Sequence, residues 1–329
     1  MKLNKKKIQK PIFIISSGRT GSTLISKILN KHKDICIISD LIEPVGNNKF
    51  LEKNTLVTQK FFFDLISRRT SLSRIYFWRK KKTKELLYLP KKDKNVSCLN
   101  CYTIPFVFNN VKATFNQLKN KFNSKKIQKK KSDHLIDFFN FFLKKTKKKI
   151  YVERTGGALH HIDKIINFYP DAKIILNLRN PLETAISMRN YPFFRMYELM
   201  LKNKKLIKWD LDKKKSYQTY GVMLNQWYKK FFLVKKKIKD KNFFYYNYED
   251  LVLNPEKTLK KIILFILDKK KDEKYLTNFS KKHAKYIQEN KPKFFKLKKN
   301  DQKLLKRSLG NSLSMIKNID NKIITKYKI

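Results

Sequence analysis

Eight residues near the start of the chain, Ser16-Ser-Gly-Arg-Thr-Gly-Ser-Thr23, combine small side chains, two glycines and one cation. Small residues let backbone N–H groups come close to an anion, and a helix beginning at Ser22 would add the positive end of its dipole. The chemistry that such a loop supports is capture of a phosphate or a sulfate. Aligned on Gly21, the nucleoside-triphosphatase pattern GxxxxGK(S/T) fails twice, because Ser16 stands at its first Gly and Ser22 at its Lys. The nearest cation is Arg19. A second segment, Arg179-Asn-Pro-Leu-Glu-Thr-Ala-Ile-Ser187, puts another cation after an apolar run and a serine eight residues later. Ligands of open α/β sheets gather at the carboxyl ends of the strands, where both segments would lie.

The elements that must position them are legible in the hydrophobic pattern. Ile12 to Ile15 is a short apolar, β-branched run that fits a buried parallel strand ending near Ser16. Leu24, Ile25, Ile28 and Leu29 recur at helical spacing up to Lys31, and Ile35 to Ile38 predicts a second strand. Ile150 to Glu153 predicts a third, followed by the loop Arg154-Thr-Gly-Gly157 and a helix from Ala158 to about Phe168. Ala172 to Leu178 predicts a fourth strand. Asn180-Pro-Leu-Glu183 has the signs of a helix start, with Asn as N-cap, Pro at N1 and Glu reaching back. Asn242 to Tyr246 predicts a last strand, and Asn254-Pro255 opens a helix running through Leu267. Strands separated by helical stretches predict a parallel sheet covered on both faces, an α/β fold. Residues 50–149 read as a mostly helical insertion and residues 269–329 as a lysine-rich helical tail. Aromatic clusters in the insertion, such as Phe61 to Phe63 and Phe138 to Phe142, read as core-facing sides of amphipathic helices rather than as stacking platforms for bases.

Taken in order, these segments resemble the sulfotransferase family that uses 3′-phosphoadenosine 5′-phosphosulfate. Val152-Glu-Arg-Thr155 is similar to the family's Val-Glu-Lys-Ser/Thr segment, Tyr169 to Ile175 to its FPDAKFI strand entry, and Tyr248-Glu-Asp-Leu-Val252 to its YEDLV. The likeness covers residues 11–45 and 150–267. It implies a P-loop-like parallel sheet flanked by helices, in one domain, and transfer of a sulfonyl group to a hydroxyl or an amine. It further implies that Ser17, Gly18, Arg19, Thr20, Gly21, Ser22 and Thr23 hold the 5′-phosphosulfate, and that Arg179 and Ser187 hold the 3′-phosphate. Arg154 stands where many members carry Lys, and is expected to neutralise the sulfonyl group or position the acceptor, or else to pair with a nearby carboxylate. The acceptor must lose a proton as the S–O bond forms, which calls for a general base. Asp40, at the end of the second strand and 21 residues after Arg19, is the first candidate, since family members with a carboxylate base carry a Glu in this region. Glu43 competes with it, and His32, His160 and His161 are weaker candidates. The family's C-terminal Arg-Lys-Gly loop has no recognisable counterpart, and residues 50–149 carry no motif that identifies the acceptor, whether small metabolite, carbohydrate or lipid.

Composition sets the alternatives. The 329 residues carry 78 Lys+Arg against 26 Asp+Glu, a formal charge of +52, and a 41% hydrophobic fraction sufficient for a sizeable core. Such an excess fits a nucleic-acid or polyanion-binding protein, or peripheral contact with an anionic surface. Yet only ten of the basic residues are Arg, and Lys, Asn, Ile and Phe abound together, which fits a solvated lysine coat set by codon bias. A nucleotide kinase is the other rival, and the absent Walker Lys argues against it. A pure polyanion binder would need no paired loops like those around Arg19 and Arg179, so nucleic acid is not the expected partner. No apolar stretch approaches the roughly 18 residues of a membrane span. Cys98-x-x-Cys101 lacks the second pair that a zinc site needs, so no metal is expected, and the chain reads as cytoplasmic.

Overall fold

The computed structural model describes residues 10–42, 49–69, 87–88, 97–201, 216–268, 272–288 and 291–320. In chain order the first elements are β1 (Ile12–Ser16), α1 (Ser22–Leu29), β2 (Ile35–Ser39), β3 (Leu56–Thr58) and α2 (Gln59–Ser67). A π-helical turn (Leu99–Thr103) leads into α3 (Ile104–Val107), α4 (Val111–Lys121), β4 (Gln128–Lys130) and α5 (Lys131–Thr146). Then come β5 (Ile150–Gly156), α6 (Ile162–Phe168), β6 (Lys173–Leu178), α7 (Pro181–Arg189), α8 (Pro192–Leu201) and α9 (Tyr217–Lys235). The chain continues through β7 (Phe243–Asn247), α10 (Tyr248–Leu253), α11 (Pro255–Leu267), α12 (Glu273–Ala284), α13 (Lys299–Leu309) and α14 (Ser312–Ile319).

Five strands form one parallel sheet in the order β2-β5-β1-β6-β7. They pair this way because their side chains find apolar cover on both faces. Ile12, Ile14, Ile37, Val152 and Ile175 point to one face, under α1, α11 and α12. Phe13, Ile15, Ile38, Tyr151, Ile174 and Leu176 point to the other, against Phe138, Phe139 and Phe142 of α5 and Trp227, Tyr228 and Phe231 of α9. Register brings the carboxyl ends level: Ser16 lies between Gly156 and Asn177, and Ser39 pairs with Arg154. The loops after β1, β2, β5, β6 and β7 therefore open on one edge of the sheet.

Two expectations need adjusting, and the mostly helical insertion adds a feature of its own, since β3 and β4 pair antiparallel. The Ser124 hydroxyl accepts from the Lys126 and Ile127 amides and turns the chain back along β3, and all of β4 is exposed, so its lysines carry no period-2 signal. Strand β5 runs on to Gly156, so Arg154 lies within the strand and not in the loop beyond it. Glu183 does not reach back to its own helix start. Asn180 alone caps α7, accepting from Leu182 and Glu183, while the Glu183 carboxylate accepts the backbone amides of Lys293 and Phe294 at 2.8 Å each. Of the aromatic clusters, Phe62, Phe63, Phe138, Phe139 and Phe142 are buried and Phe61 is exposed. Among the described residues no helix is long and apolar enough to cross a membrane.

Candidate active site

The loop between β1 and α1 takes its shape from three consecutive or near-consecutive left-handed residues, Gly18 (φ 78°), Arg19 (φ 60°) and Gly21 (φ 79°). From Arg19 to Gly21 left-handed residues flank an ordinary one, an alternation that turns backbone N–H groups toward one concavity. No side chain caps α1 at Gly21, and its first turn holds no acidic residue, so the positive end of the helix is left for an external anion. Close packing adds to the demand for glycine. A Cβ at Gly18 would lie 2.9 Å from the Phe194 ring, and one at Gly21 would lie 2.9 Å from the Tyr248 ring.

The two cation-bearing segments come together although 160 residues separate them. Arg19 Nε donates to the Ser187 hydroxyl at 3.1 Å, and Arg179 Nη1 donates to the Arg19 carbonyl at 2.9 Å. Each guanidinium lies on an aromatic ring, Arg19 over Tyr191 at 4.4 Å and Arg179 over Tyr248 at 4.6 Å. The stacking fixes both planes and holds positive charge at the loop. Beneath them Asn180 donates its amide to Glu249 Oε1 at 3.0 Å, and burial raises the Glu249 carboxyl above its ordinary range. Ser17, Thr20 and Ser22 are buried in the loop, and Gly18, Arg19, Gly21 and Thr23 complete it. Two polar atoms in this cluster, Thr20 Oγ1 and Arg179 Nε, are buried without a protein partner. Orphaned donors beside two cations suit an anionic ligand, since burial without one leaves their desolvation unrepaid. The residues present thus fit a bound phosphate-bearing group.

A second network sits one strand away. Arg154 donates from Nη1 to Asp40 Oδ1 at 3.0 Å, from Nη2 to the Ser39 hydroxyl at 2.6 Å and from Nε to Ser26 Oγ of α1 at 3.0 Å. Asp40 also accepts the Gly156 amide at 3.2 Å and the Ser39 hydroxyl at 2.8 Å. The first-choice base and the strand-borne cation are therefore one ion pair, with the Arg154 side chain 3% exposed and that of Asp40 21% exposed. On the opposite face of β5, buried Glu153 accepts the Thr155 hydroxyl at 2.5 Å and the Ile42 amide at 3.4 Å. Burial pushes its carboxyl up to about 8. Glu43 lies outside the described residues.

The histidine candidates lie on two other segments. His32 lies beyond the end of α1, edge-on to Tyr275 and Phe279, and burial lowers it to about 4. His160 and His161 occupy a 3-10 turn before α6, where His160 packs on Trp227 and burial lowers it to about 4. Cys98, just before the π-helical turn, and Cys101, on it, are buried, and among the described residues no group of three or more His, Cys, Asp or Glu could hold a metal ion. The aromatic partners Tyr191 and Phe194 were not singled out from sequence. Their signal is their position just after the Ser187 helix, which only the close approach to Gly18 and Arg19 makes meaningful.

Known proteins give the arrangement its context. A model of the Sulfotransferase family matches residues 11–267. Similar solved structures include a sulfotransferase domain from the curacin biosynthetic pathway, with 14% identity, 94% of this chain and 98% of that chain covered, and a TM-score of 0.49. A sulfotransferase from Mycobacterium avium shares 12% identity over 98% of this chain and 78% of its own, with a TM-score of 0.47. No curated protein matches the chain.

Proposed function

Because the chain belongs to the sulfotransferase family, we propose that it moves a sulfonyl group from 3′-phosphoadenosine 5′-phosphosulfate to a hydroxyl or amine of a small-molecule, carbohydrate or lipid acceptor. The observation that carries the donor reading is the convergence of Arg19 and Arg179 with Ser187 around an uncapped helix start, with Thr20 Oγ1 and Arg179 Nε buried and unpartnered. Two cations brought from two segments to one loop suit a nucleotide with charge at both its 3′ and 5′ positions. When bound, the nucleotide supplies the activated sulfonyl group.

In this proposal Ser17 to Thr23 hold the 5′-phosphosulfate, and Arg19 stabilises the charge that grows on the 5′-phosphate oxygen as its bond to sulfur breaks. Arg179, fixed on Tyr248, and Ser187 hold the 3′-phosphate. Asp40 takes the acceptor proton through the part of its carboxylate that faces solvent. The described residues of the core, insertion and tail act as one catalytic domain. Its three cysteines are buried, and the cytoplasm is the proposed setting.

Titration of the protein with 3′-phosphoadenosine 5′-phosphate, with its 3′-hydroxyl analogue and with duplex DNA, at about 0.2 M salt, tests the reading. The expected result is tight binding of the first alone. Equal binding of the two nucleotides would remove the 3′-phosphate assignment, and preference for DNA would favour the polyanion-binding alternative.

A further inference from the structure

Among the described residues, five other than glycine have a left-handed backbone: Arg19, Asp40, Lys147, Asp268 and Asp272. Lys147 and Asp268 follow the last turns of α5 and α11, where this conformation is routine, and Asp272 opens α12, its side chain accepting the Tyr275 amide. Arg19 belongs to the anion loop. Asp40 alone (φ 54°) lies at no helix end and outside that loop, and it sits at the carboxyl end of β2 beside the loop's edge. Strain of this kind persists only where surrounding contacts over-determine it.

The contacts that hold Asp40 come largely from Arg154. Its backbone carbonyl accepts the Asp40 amide at 2.7 Å while its guanidinium binds Asp40 Oδ1 and, through Ser39 Oγ, braces the other carboxylate oxygen. A further guanidinium donor, Nε, is tied to Ser26 of α1. Arg154 is thus enclosed between the sheet and α1, and only Asp40 of the pair opens outward.

Resting on the sulfonyl-transfer reading above, we propose that Arg154 is a positioning residue that acts on the reaction only through Asp40, orienting its carboxylate toward the acceptor and never touching the sulfonyl group. In the step concerned, the acceptor oxygen forms its bond to sulfur, and the bond from sulfur to the 5′-phosphate oxygen breaks. The electron pair of that bond leaves with 3′-phosphoadenosine 5′-phosphate, and the acceptor proton passes to Asp40 and then to solvent. Arg154 contributes geometry to the last transfer.

A double-mutant cycle separates this role from direct contact with the donor. Water serves as acceptor, so that turnover releases sulfate, a proton and 3′-phosphoadenosine 5′-phosphate, and the last is measured. Variants are Asp40→Asn, Arg154→Ala, Arg154→Lys and the Asp40→Asn/Arg154→Ala double mutant, each checked for thermal unfolding and for affinity toward 3′-phosphoadenosine 5′-phosphate. Expected are nucleotide affinities within about threefold of wild type and kcat losses of about 10²–10⁴ for Asp40→Asn. Arg154→Ala should lose kcat with donor KM unchanged, the double mutant should be no slower than Asp40→Asn alone, and Arg154→Lys should recover part of the loss. If Arg154→Ala does not fold, Arg154→Gln replaces it in the same cycle. Losses that multiply in the double mutant, or an Arg154 variant that raises donor KM at unchanged kcat, would overturn the proposal. Wild-type protein that binds no 3′-phosphoadenosine 5′-phosphate would instead overturn the donor reading beneath it.

Discussion

Arg179 lies on Tyr248, donates one nitrogen to the Arg19 carbonyl and keeps a buried Nε with no protein partner. A charge-assisted contact from such a group is worth about 1.5–3 kcal/mol. Arg179→Ala should therefore lower affinity for 3′-phosphoadenosine 5′-phosphate by roughly 10- to 150-fold and leave the 3′-hydroxyl analogue nearly unaffected, as calorimetric titration of both would show. Glu153 makes a different prediction. Its unfolded carboxyl releases a proton near 4.5, whereas burial holds the folded one protonated to about 8. Between those values the unfolded state carries fewer protons, so raising the pH costs stability. Glu153→Gln keeps an acceptor for Thr155 and Ile42 without the titration. Its melting temperature should match wild type near pH 4 and exceed it increasingly up to pH 8, and a constant difference across that range would show that Glu153 is not the titrating group. At this scale the sequence disclosed the ligand-facing cations but not their partners. Arg19 and Arg179 are visible from their loop contexts, while the Asp40–Arg154 pair depends on β2 and β5 lying side by side, a neighbourhood created by residues more than 100 positions apart.

The loop between β1 and α1 shows how tightly element geometry constrains the site. Gly21 is left-handed at φ 79° and closely overlain by Tyr248, so Gly21→Ala adds about 1–2 kcal/mol of backbone strain and pushes on the ring that supports Arg179. Chemical denaturation should show that loss of stability, and nucleotide affinity should fall with it. Undiminished affinity would mean that Tyr248 does not transmit loop geometry to Arg179. Strand and helix order along β1, α1, β2, β6, α7 and α11 was legible because buried parallel strands leave continuous apolar runs and Asn-Pro marks two helix starts. The β3–β4 pair was not, since exposed lysines have no face to declare. The mis-assigned role of Glu183 has a similar cause. Helix-start chemistry is local, but its carboxylate meets Lys293 and Phe294 only through tertiary packing. Glu183→Ala should thus loosen the turn at Lys293 and Phe294 while leaving α7 capped by Asn180. Limited proteolysis should cut the variant near this turn faster than wild type, and equal rates would show that other contacts suffice.

Across the whole molecule, charge and chain order dominate. With a formal charge of +52 the lysine coat repels itself, and salt relieves this by screening over about 10 Å at 0.1 M. Melting temperature should rise as ionic strength increases from about 0.05 to 0.5 M. A fall would mean that surface ion pairs such as Lys129–Asp137 and Lys230–Asp163 outweigh the repulsion. Strand order has a consequence of another kind. Both neighbours of β1 in the sheet, β5 and β6, are encoded more than 130 residues after it. During translation at about 5–20 residues per second, β1 emerges and then waits on the order of 8–30 seconds before residue 178 has been added. For that interval Ile12 to Ile15 have neither edge paired, and the anion loop that follows has no strand on either side to set its shape. The nascent chain therefore presents its most apolar strand longest without its partners. Slowing the ribosome between residues 50 and 150 should lengthen chaperone occupancy at the N-terminus, and ligand competence should appear only once β6 has left the exit tunnel.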